Sequence, residues 1–316
     1  MSFLSSGAAS YLRLLVLSAI AGTLSYFLMP LCYLAAGTIG AIDYPGSERR
    51  INSRPTPRLG GLGFFTAFFT ALTLSGLNAE SVSAALLAGG GILVAIGVSD
   101  DAISLPPAVK LIGQAAAALV ALSFIPAPQE FSFFGLFVIP LPSILGLAFA
   151  LFRIIFTINA VNFSDGLDGL AAGLSIVALS SLAIFGAANG REGAAIAAIF
   201  LTASLLGFIP FNKHRAKMFM GDSGSQFLGF AIAVLSLASS RTGSFTIETS
   251  FFIAIPVVDT WFSVTRRILK RKSPFCADKG HLHHLLLKAG LSHPVAVRVL
   301  VSSGALIALT ALLFSI

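Results

Sequence analysis

Apolar residues run through this chain in stretches of about 20 rather than in short stripes. Ten such stretches stand out, with approximate ends 11–39, 60–78, 82–99, 108–126, 135–156, 170–188, 194–211, 224–240, 248–265 and 294–315. Each is about 17 residues or longer, enough to cross a hydrocarbon core with some tilt. No alternating strand pattern is long enough to build a barrel. The predicted fold is therefore all-α: a polytopic transmembrane helical bundle of about ten (10–11) helices, forming one integral membrane catalytic domain over 1–316. Pro140 and Pro142 make 135–156 the span most open to division. Small residues such as Gly89-Gly90-Gly91 and Ala115 to Ala118 suit close helix contact in lipid.

Charge supplies the sidedness. One set of loops comprises about 40–59, 100–107, 157–169, 212–223 and 266–293. That set and its span ends hold 16 of the 20 Lys and Arg, Arg153 among them. Positive loops stay inside, so this set is predicted cytoplasmic and both termini periplasmic. The acids sort as well. All eight Asp fall on the cytoplasmic side, whereas Glu80, Glu130, Glu192 and Glu248 fall on the other and read as solvated loop residues. Carboxylates at the ends of apolar spans are costly unless paired, hydrated or metal-bound. Short ones gathered on one face point to a hard cation with phosphate as a co-ligand.

Composition agrees: 10% charged residues, 56% hydrophobic residues and a mean hydropathy of +0.92 exclude an ordinary soluble domain. The net charge of +7 belongs to orientation rather than to nucleic acid. Cys32 and Cys276 make no disulfide framework. The apolar run from Leu12 to Ile39 is too long for a cleaved signal.

Five loops carry candidate chemistry. The first, with Arg49, Arg50, Arg54 and Arg58 around two prolines, is either an orientation signal that grips anionic lipid heads or a clamp for a phosphorylated substrate. In the second, Asp100 and Asp101 point about 100° apart on a helix, so one faces a site and the other a neighbouring helix or a Lys. Lys110 follows close by. The third sets Asn159, Asn162, Asp165 and Asp168 at threefold spacing, one slowly drifting helical face, with Gly166 and Gly169 between. The fourth, Gly221-Asp222-Ser223-Gly224 after Asn212, Lys213 and Lys217, is a helix start or a backbone nest for phosphate. In the fifth, His281, His283 and His284 stand beyond Arg266 and Arg267. A zinc site there would need Cys276; imidazoles donating to phosphate or sugar oxygens fit the basic surroundings better. Asp259 is expected to pair with Arg266, Arg267 or a charge from another span. No hydrolase triad, dinucleotide fingerprint, phosphate loop or inverted repeat is present.

Arg54-Pro55-Thr56-Pro57-Arg58-Leu59-Gly60-Gly61, Asp100-Asp101, Asn159 through Gly169, Phe219-Met220-Gly221-Asp222-Ser223-Gly224-Ser225 and the loop ending His281-Leu282-His283-His284 occur in this order. Together they resemble the polyprenyl-phosphate N-acetylhexosamine-1-phosphate transferases over nearly the whole chain. The resemblance implies a bacterial inner-membrane enzyme with a cytoplasmic site, acting on membrane-embedded undecaprenyl phosphate and a UDP-N-acetylhexosamine. It implies Mg2+, with Mn2+ as a substitute, and allows a homodimer. By motif, Asp222 is the principal metal ligand with Asn162 and Asp165. Asp100 positions or deprotonates the lipid phosphate. Asp101 and Asp168 complete the catalytic carboxylates with His281, His283 and His284. Arg54, Arg58, Lys110, Asn159, Asn162, Asn212, Lys217, Arg266 and Arg267 bind substrate. The resemblance is closer to enzymes that initiate O-antigen and related envelope polysaccharides than to the peptidoglycan branch, which uses UDP-MurNAc-pentapeptide. The alternatives are that branch, a transporter of an anionic lipid or nucleotide sugar, and an inactive scaffold.

Overall fold

The computed structural model describes residues 7–45, 54–77, 80–240, 244–271 and 280–315. Arg49, Arg50, Arg241, Lys272, Cys276, Asp278 and Lys279 lie outside them, so the expectations placed on those residues are not addressed. The chain is an all-α, multi-span membrane bundle. Its long helices are α1 (Ala8–Ile39), α2 (Gly60–Leu74), α3 (Ser81–Ile103), α4 (Pro107–Phe124), α5 (Ser143–Ser164), α6 (Leu170–Ala188), α7 (Glu192–Asn212), α8 (Gly221–Ser239), α10 (Ala254–Leu269) and α12 (His293–Ser315). Two are short, α9 (Glu248–Phe251) and α11 (Leu282–Lys288). Among the described residues, seven helices (α1, α3, α4, α5, α6, α7 and α12) are long and apolar enough to cross a membrane.

The other three long helices miss that standard for physical reasons. Helix α2 is short. Helix α8 starts with the polar run from Gly221 to Gln226 and is buried nearly all round, with α3 and α5 as its main neighbours. It is a core helix that needs no lipid-facing stripe. Helix α10 is amphipathic with its faces reversed: Asp259 and Arg267 are each 4% exposed, while Trp261 is 52% and Leu269 78% exposed. Only an apolar surround makes that burial favourable.

Glycine sets how closely α8 is gripped. A Cβ on Gly97 of α3 would overlap the Ser223 backbone, and one on Gly61 of α2 would overlap Gly224. Backbones therefore touch at the polar start of α8. Behind that contact Phe64, Phe68, Phe208, Phe227 and Phe230 fill the core.

Two predicted spans are corrected: 248–265 divides at Phe252 and Ile253 into α9 and α10. The segment 135–156 is not a single helix. It begins as a hairpin of β3 (Glu130–Phe133) and β4 (Phe137–Pro140), and α5 starts only after Pro142. Strand β5 (Ser244–Thr246) pairs parallel to β3. Pro140 and Pro142 disfavour helix in the residue before each, which ends the strand and delays the helix. Arg153 consequently lies mid-helix rather than at the predicted span end. A two-residue ribbon, β1 (Ile42–Asp43) with β2 (Thr56–Pro57), closes the other end of the bundle.

Candidate functional site

The polar start of α8 is where the predicted motifs converge. Asp101, at the end of α3, accepts hydrogen bonds from the backbone N–H of Asp222 (2.9 Å) and Ser223 (3.2 Å), and from Ser223 Oγ (3.0 Å). It caps α8 from another helix, satisfying amides that the first turn leaves open. Gly221 adopts φ 70, and a Cβ there would strike Arg58 O and the Asp101 carboxylate. Asp100 points elsewhere, as adjacent helical residues must. It accepts from Leu105 N–H (2.8 Å) and from Lys110 Nζ (3.2 Å).

Asp222 is the hub. Lys110 Nζ donates to its Oδ2 (3.0 Å), so one ammonium bridges Asp100 and Asp222. Asn162 Nδ2 donates to Asp222 Oδ1 (3.2 Å) and to Ser225 Oγ (2.8 Å). Gln226 Nε2 donates to Asp222 Oδ2 (2.9 Å), Gln114 Nε2 to Gln226 Oε1 (3.2 Å), and Asn159 Nδ2 to Gln114 Oε1 (2.8 Å). This amide chain fixes the hub from inside the bundle; with every link paired, it adds rigidity.

Asn159 and Asn162 do share a helical face, but the predicted face stops there. Helix α5 ends at Ser164, and Asp165 is its C-terminal cap residue. The Asp165 carboxyl is pushed up to about 7, first by burial and then by the charges of Asp222, Asp101 and Asp168, with Arg58 opposing. Arg58 itself is ion-paired with Asp43 across the β1–β2 ribbon. Asp168 turns to a different group: His214 Nδ1 lies 3.3 Å from its Oδ2 and Ala216 N–H donates to it (3.1 Å). With His293 these residues offer three ligand atoms within 4.8 Å of one another.

Two donor sets thus lie at this end. Asp222 and Asp165 are close enough for the charge of one to raise the other, and the Asn162 amide donates to Asp222; carboxylate oxygens are the donor type Mg2+ takes. Asp168, His214 and His293 form a nitrogen-rich set better matched to a borderline metal.

The remaining predicted residues divide. Asn212 is structural: its Nδ2 donates to Met218 O (3.1 Å) and its Oδ1 accepts from Gly169 N–H (3.1 Å), clamping the loop before α8. Lys217 and Arg54 are exposed. His281 and Arg267 meet the site at Phe163, whose ring lies 5.8 Å from the His281 ring and 5.6 Å from the Arg267 guanidinium. Arg266 donates to Ser263 Oγ (3.3 Å). The His283 ring fills the space over Gly166, where a Cβ would overlap Nε2. His284 packs on His283 at 4.3 Å between centroids. Burial first, then neighbouring His284 and His281, lower His283 to about 4, so it is a neutral donor or acceptor at pH 7. Asp259, expected beside an arginine, bonds His281 and the Leu282 backbone.

Gln114, Gln226, Ser223, Ser225, Asp43, His214 and His293 were not foreseen as site residues. Gln114 and Gln226 had a legible signal, since an amide inside an apolar span needs a partner. Asp43, His214 and His293 had none, because their partners are distant in sequence.

The sequence profile described as "Glycosyl transferase family 4" matches residues 83–240, from α3 to α8. The chain is 36% identical over 293 residues to a "Probable undecaprenyl-phosphate N-acetylglucosaminyl 1-phosphate transferase" of Bacillus subtilis (strain 168), covering 90% of this chain and 80% of that protein. The chain belongs to glycosyl transferase family 4. Family-4 relatives extend further. A "Decaprenyl-phosphate N-acetylglucosaminephosphotransferase" of Mycolicibacterium smegmatis is 33% identical over 325 residues (92% and 80% of the two chains). An "Undecaprenyl-phosphate alpha-N-acetylglucosaminyl 1-phosphate transferase" of Salmonella typhi is 30% identical over 308 (93% and 83%). The family-4 match spans Asp100 through Asp222, the whole acidic hub. Arg58 and the 281–284 imidazoles lie outside the profile but within the lengths these relatives share.

Proposed function

We propose that this protein transfers N-acetylhexosamine-1-phosphate from a UDP-sugar to undecaprenyl phosphate, giving undecaprenyl-pyrophosphoryl-N-acetylhexosamine and UMP, at the start of an envelope polysaccharide. The observation that carries the proposal is the Asp222 hub, where helices α3, α4, α5 and α8 deliver acid, amide and ammonium groups to one point. The names of the relatives agree with it. The cytoplasmic placement of the site, outward termini and an inner-membrane location rest on the charge distribution of the loops.

Two anions must meet in this reaction, and electrostatics is the dominant problem. Asp222, Asp165 and the Asn162 carbonyl would hold Mg2+, which when bound supplies positive charge to the pyrophosphate and the departing UMP. Lys110 and Arg58 add fixed positive charge beside the carboxylates. The second pKa of a phosphate monoester is about 6, so the lipid phosphate is mostly dianionic at pH 7 and needs little general-base help. An oxygen of that phosphate attacks the sugar-bearing phosphorus; the new P–O bond forms as the bond to UMP breaks. Asp100, held by Leu105 N–H and Lys110, positions the attacking group. Direct attack is favoured over a phosphoryl-aspartate because Asp222 already accepts from Lys110, Asn162 and Gln226, which blunts it as a nucleophile.

The test offers UDP-GlcNAc, UDP-QuiNAc, UDP-FucNAc and UDP-MurNAc-pentapeptide separately to purified protein with undecaprenyl phosphate and Mg2+. Lipid-linked product and UMP from an N-acetylhexosamine donor support the proposal. Product from the pentapeptide donor alone assigns the peptidoglycan reaction, and vesicle uptake without UMP assigns a transporter.

A further inference from the structure

Asp259 takes no part in the Asp222 hub, yet it is a carboxylate buried on α10, in a helix whose other side exposes Trp261, Phe262 and Leu269. Both of its oxygens are committed to the segment before α11. Oδ1 accepts from Leu282 N–H at 2.7 Å, and Oδ2 lies 2.9 Å from His281 Nδ1. His281 is also buried. A carboxylate only accepts, so the proton of this contact sits on Nδ1, and in that tautomer Nε2 carries the lone pair. Arg267 Nη2 lies 3.5 Å from that Nε2. The ring also stacks on His283, 5.6 Å away and 4° from parallel. His283 in turn sits against Gly166, one residue from Asp165. Gly280 packs on the Arg266 guanidinium, so the segment is held to α10 at consecutive residues.

We propose that Asp259 is a positioning residue for phosphate transfer: it locks His281 in the Nδ1–H tautomer and thereby aims Nε2, Arg267 and the stacked His283 at the edge of the site beside Phe163 and Gly166. The inference rests on the transferase reading given above. It explains why an aspartate is placed where a single backbone acceptor would hold the segment: one oxygen docks the chain and the other selects the tautomer. Asparagine separates the two tasks. Its oxygen still accepts from Leu282 N–H, but its NH2 faces Nδ1 and demands a lone pair there, which moves the proton to Nε2. A wrong tautomer in a carboxylate–imidazole pair costs on the order of 10² to 10⁴ in kcat.

The test compares Asp259→Asn, Asp259→Glu and the parent, each as the full chain with undecaprenyl phosphate, Mg2+ and the productive UDP-sugar. In Asp259→Asn, kcat is expected to fall at least about 100-fold, with both KM values within about threefold and an unchanged thermal midpoint. 15N spectra of histidine-labelled protein should show the His281 proton moving from Nδ1 to Nε2. Asp259→Glu, which keeps two acceptor oxygens, should keep the Nδ1–H tautomer and recover most of the rate. The proposal is overturned if Asp259→Asn turns over like the parent, or keeps the parent tautomer. It is equally overturned if kcat falls only in step with a lost thermal transition while Asp259→Glu gives no recovery. A parent that releases no UMP from any donor would defeat the transferase reading instead; the tautomer comparison is read without turnover and separates the two failures.

Discussion

The two ends of the bundle handle buried charge in opposite ways. At the α8 start, Asp100, Asp101, Asp165 and Asp222 crowd together with Lys110 and Arg58 as counter-charges, and Asp165 is held up near 7 by burial and then by its neighbours. At the other end, Arg153 is half-buried and, among the described residues, donates to neutral hydroxyls: Ser236 (3.1 and 2.9 Å), Ser250 (2.7 Å) and Thr249 (3.0 Å), with the Phe245 ring 4.5 Å away. Glu130 accepts from Ser244 across β3 and β5, and Glu80 packs against Gly193. Glu248 is only 3% exposed. Glu248 and the half-buried Glu130 are not the solvated residues the sequence predicts, whereas Glu80 is exposed as expected. A charge dispersed over hydroxyls is at rest and holds structure; carboxylates pressed together are incomplete without a cation and suit chemistry.

The comparison breaks first at Asp222. Asp222→Asn should lower UMP release by on the order of 10³-fold while the fold persists, since the amide keeps the shape but loses the charge. Next is Gly97→Ala, whose Cβ would overlap the Ser223 backbone. It should cost about 1–3 kcal/mol of stability and loosen the Asp101 cap, read as a lower midpoint with weaker turnover. Arg153→Met should lower the thermal midpoint by a similar amount and leave both KM values unchanged, because it touches only the resting end.

The pH dependence sharpens the contrast further. Asp165 is raised, so the folded protein keeps a proton up to about pH 7 that the unfolded chain gives up near 4. Without metal, stability should therefore fall as pH rises across that window. Mg2+ must displace the proton, so its apparent affinity should rise about fivefold between pH 6 and pH 7 and level off above about pH 8. The smallest expected effect is Glu130→Gln, which keeps an acceptor for Ser244 and should shift stability by under about 1 kcal/mol.

Much of the acidic end was legible beforehand. Its motifs are short and dense, and carboxylates at span ends are too costly to be idle. What escaped was set by tertiary structure. That Asp100 and Asp101 point apart was legible from helix geometry, but that Asp101 is the one capping α8 was not. Asp168 leaves the helical face because α5 stops at Ser164. Arg153 was placed with the basic loops because two prolines hid a hairpin, which moved the helix start to Ser143. Glu130 looked solvated because its partner, Ser244, is more than 100 residues away.

The most direct measurement is single-turnover UMP release by Asp222→Asn and Arg153→Met side by side, at saturating undecaprenyl phosphate, UDP-sugar and Mg2+. The two-ended account predicts a chemical step slowed on the order of 10³-fold in the first and within about threefold of the parent in the second. Equal losses in both, or a parent-like rate in Asp222→Asn, would contradict it.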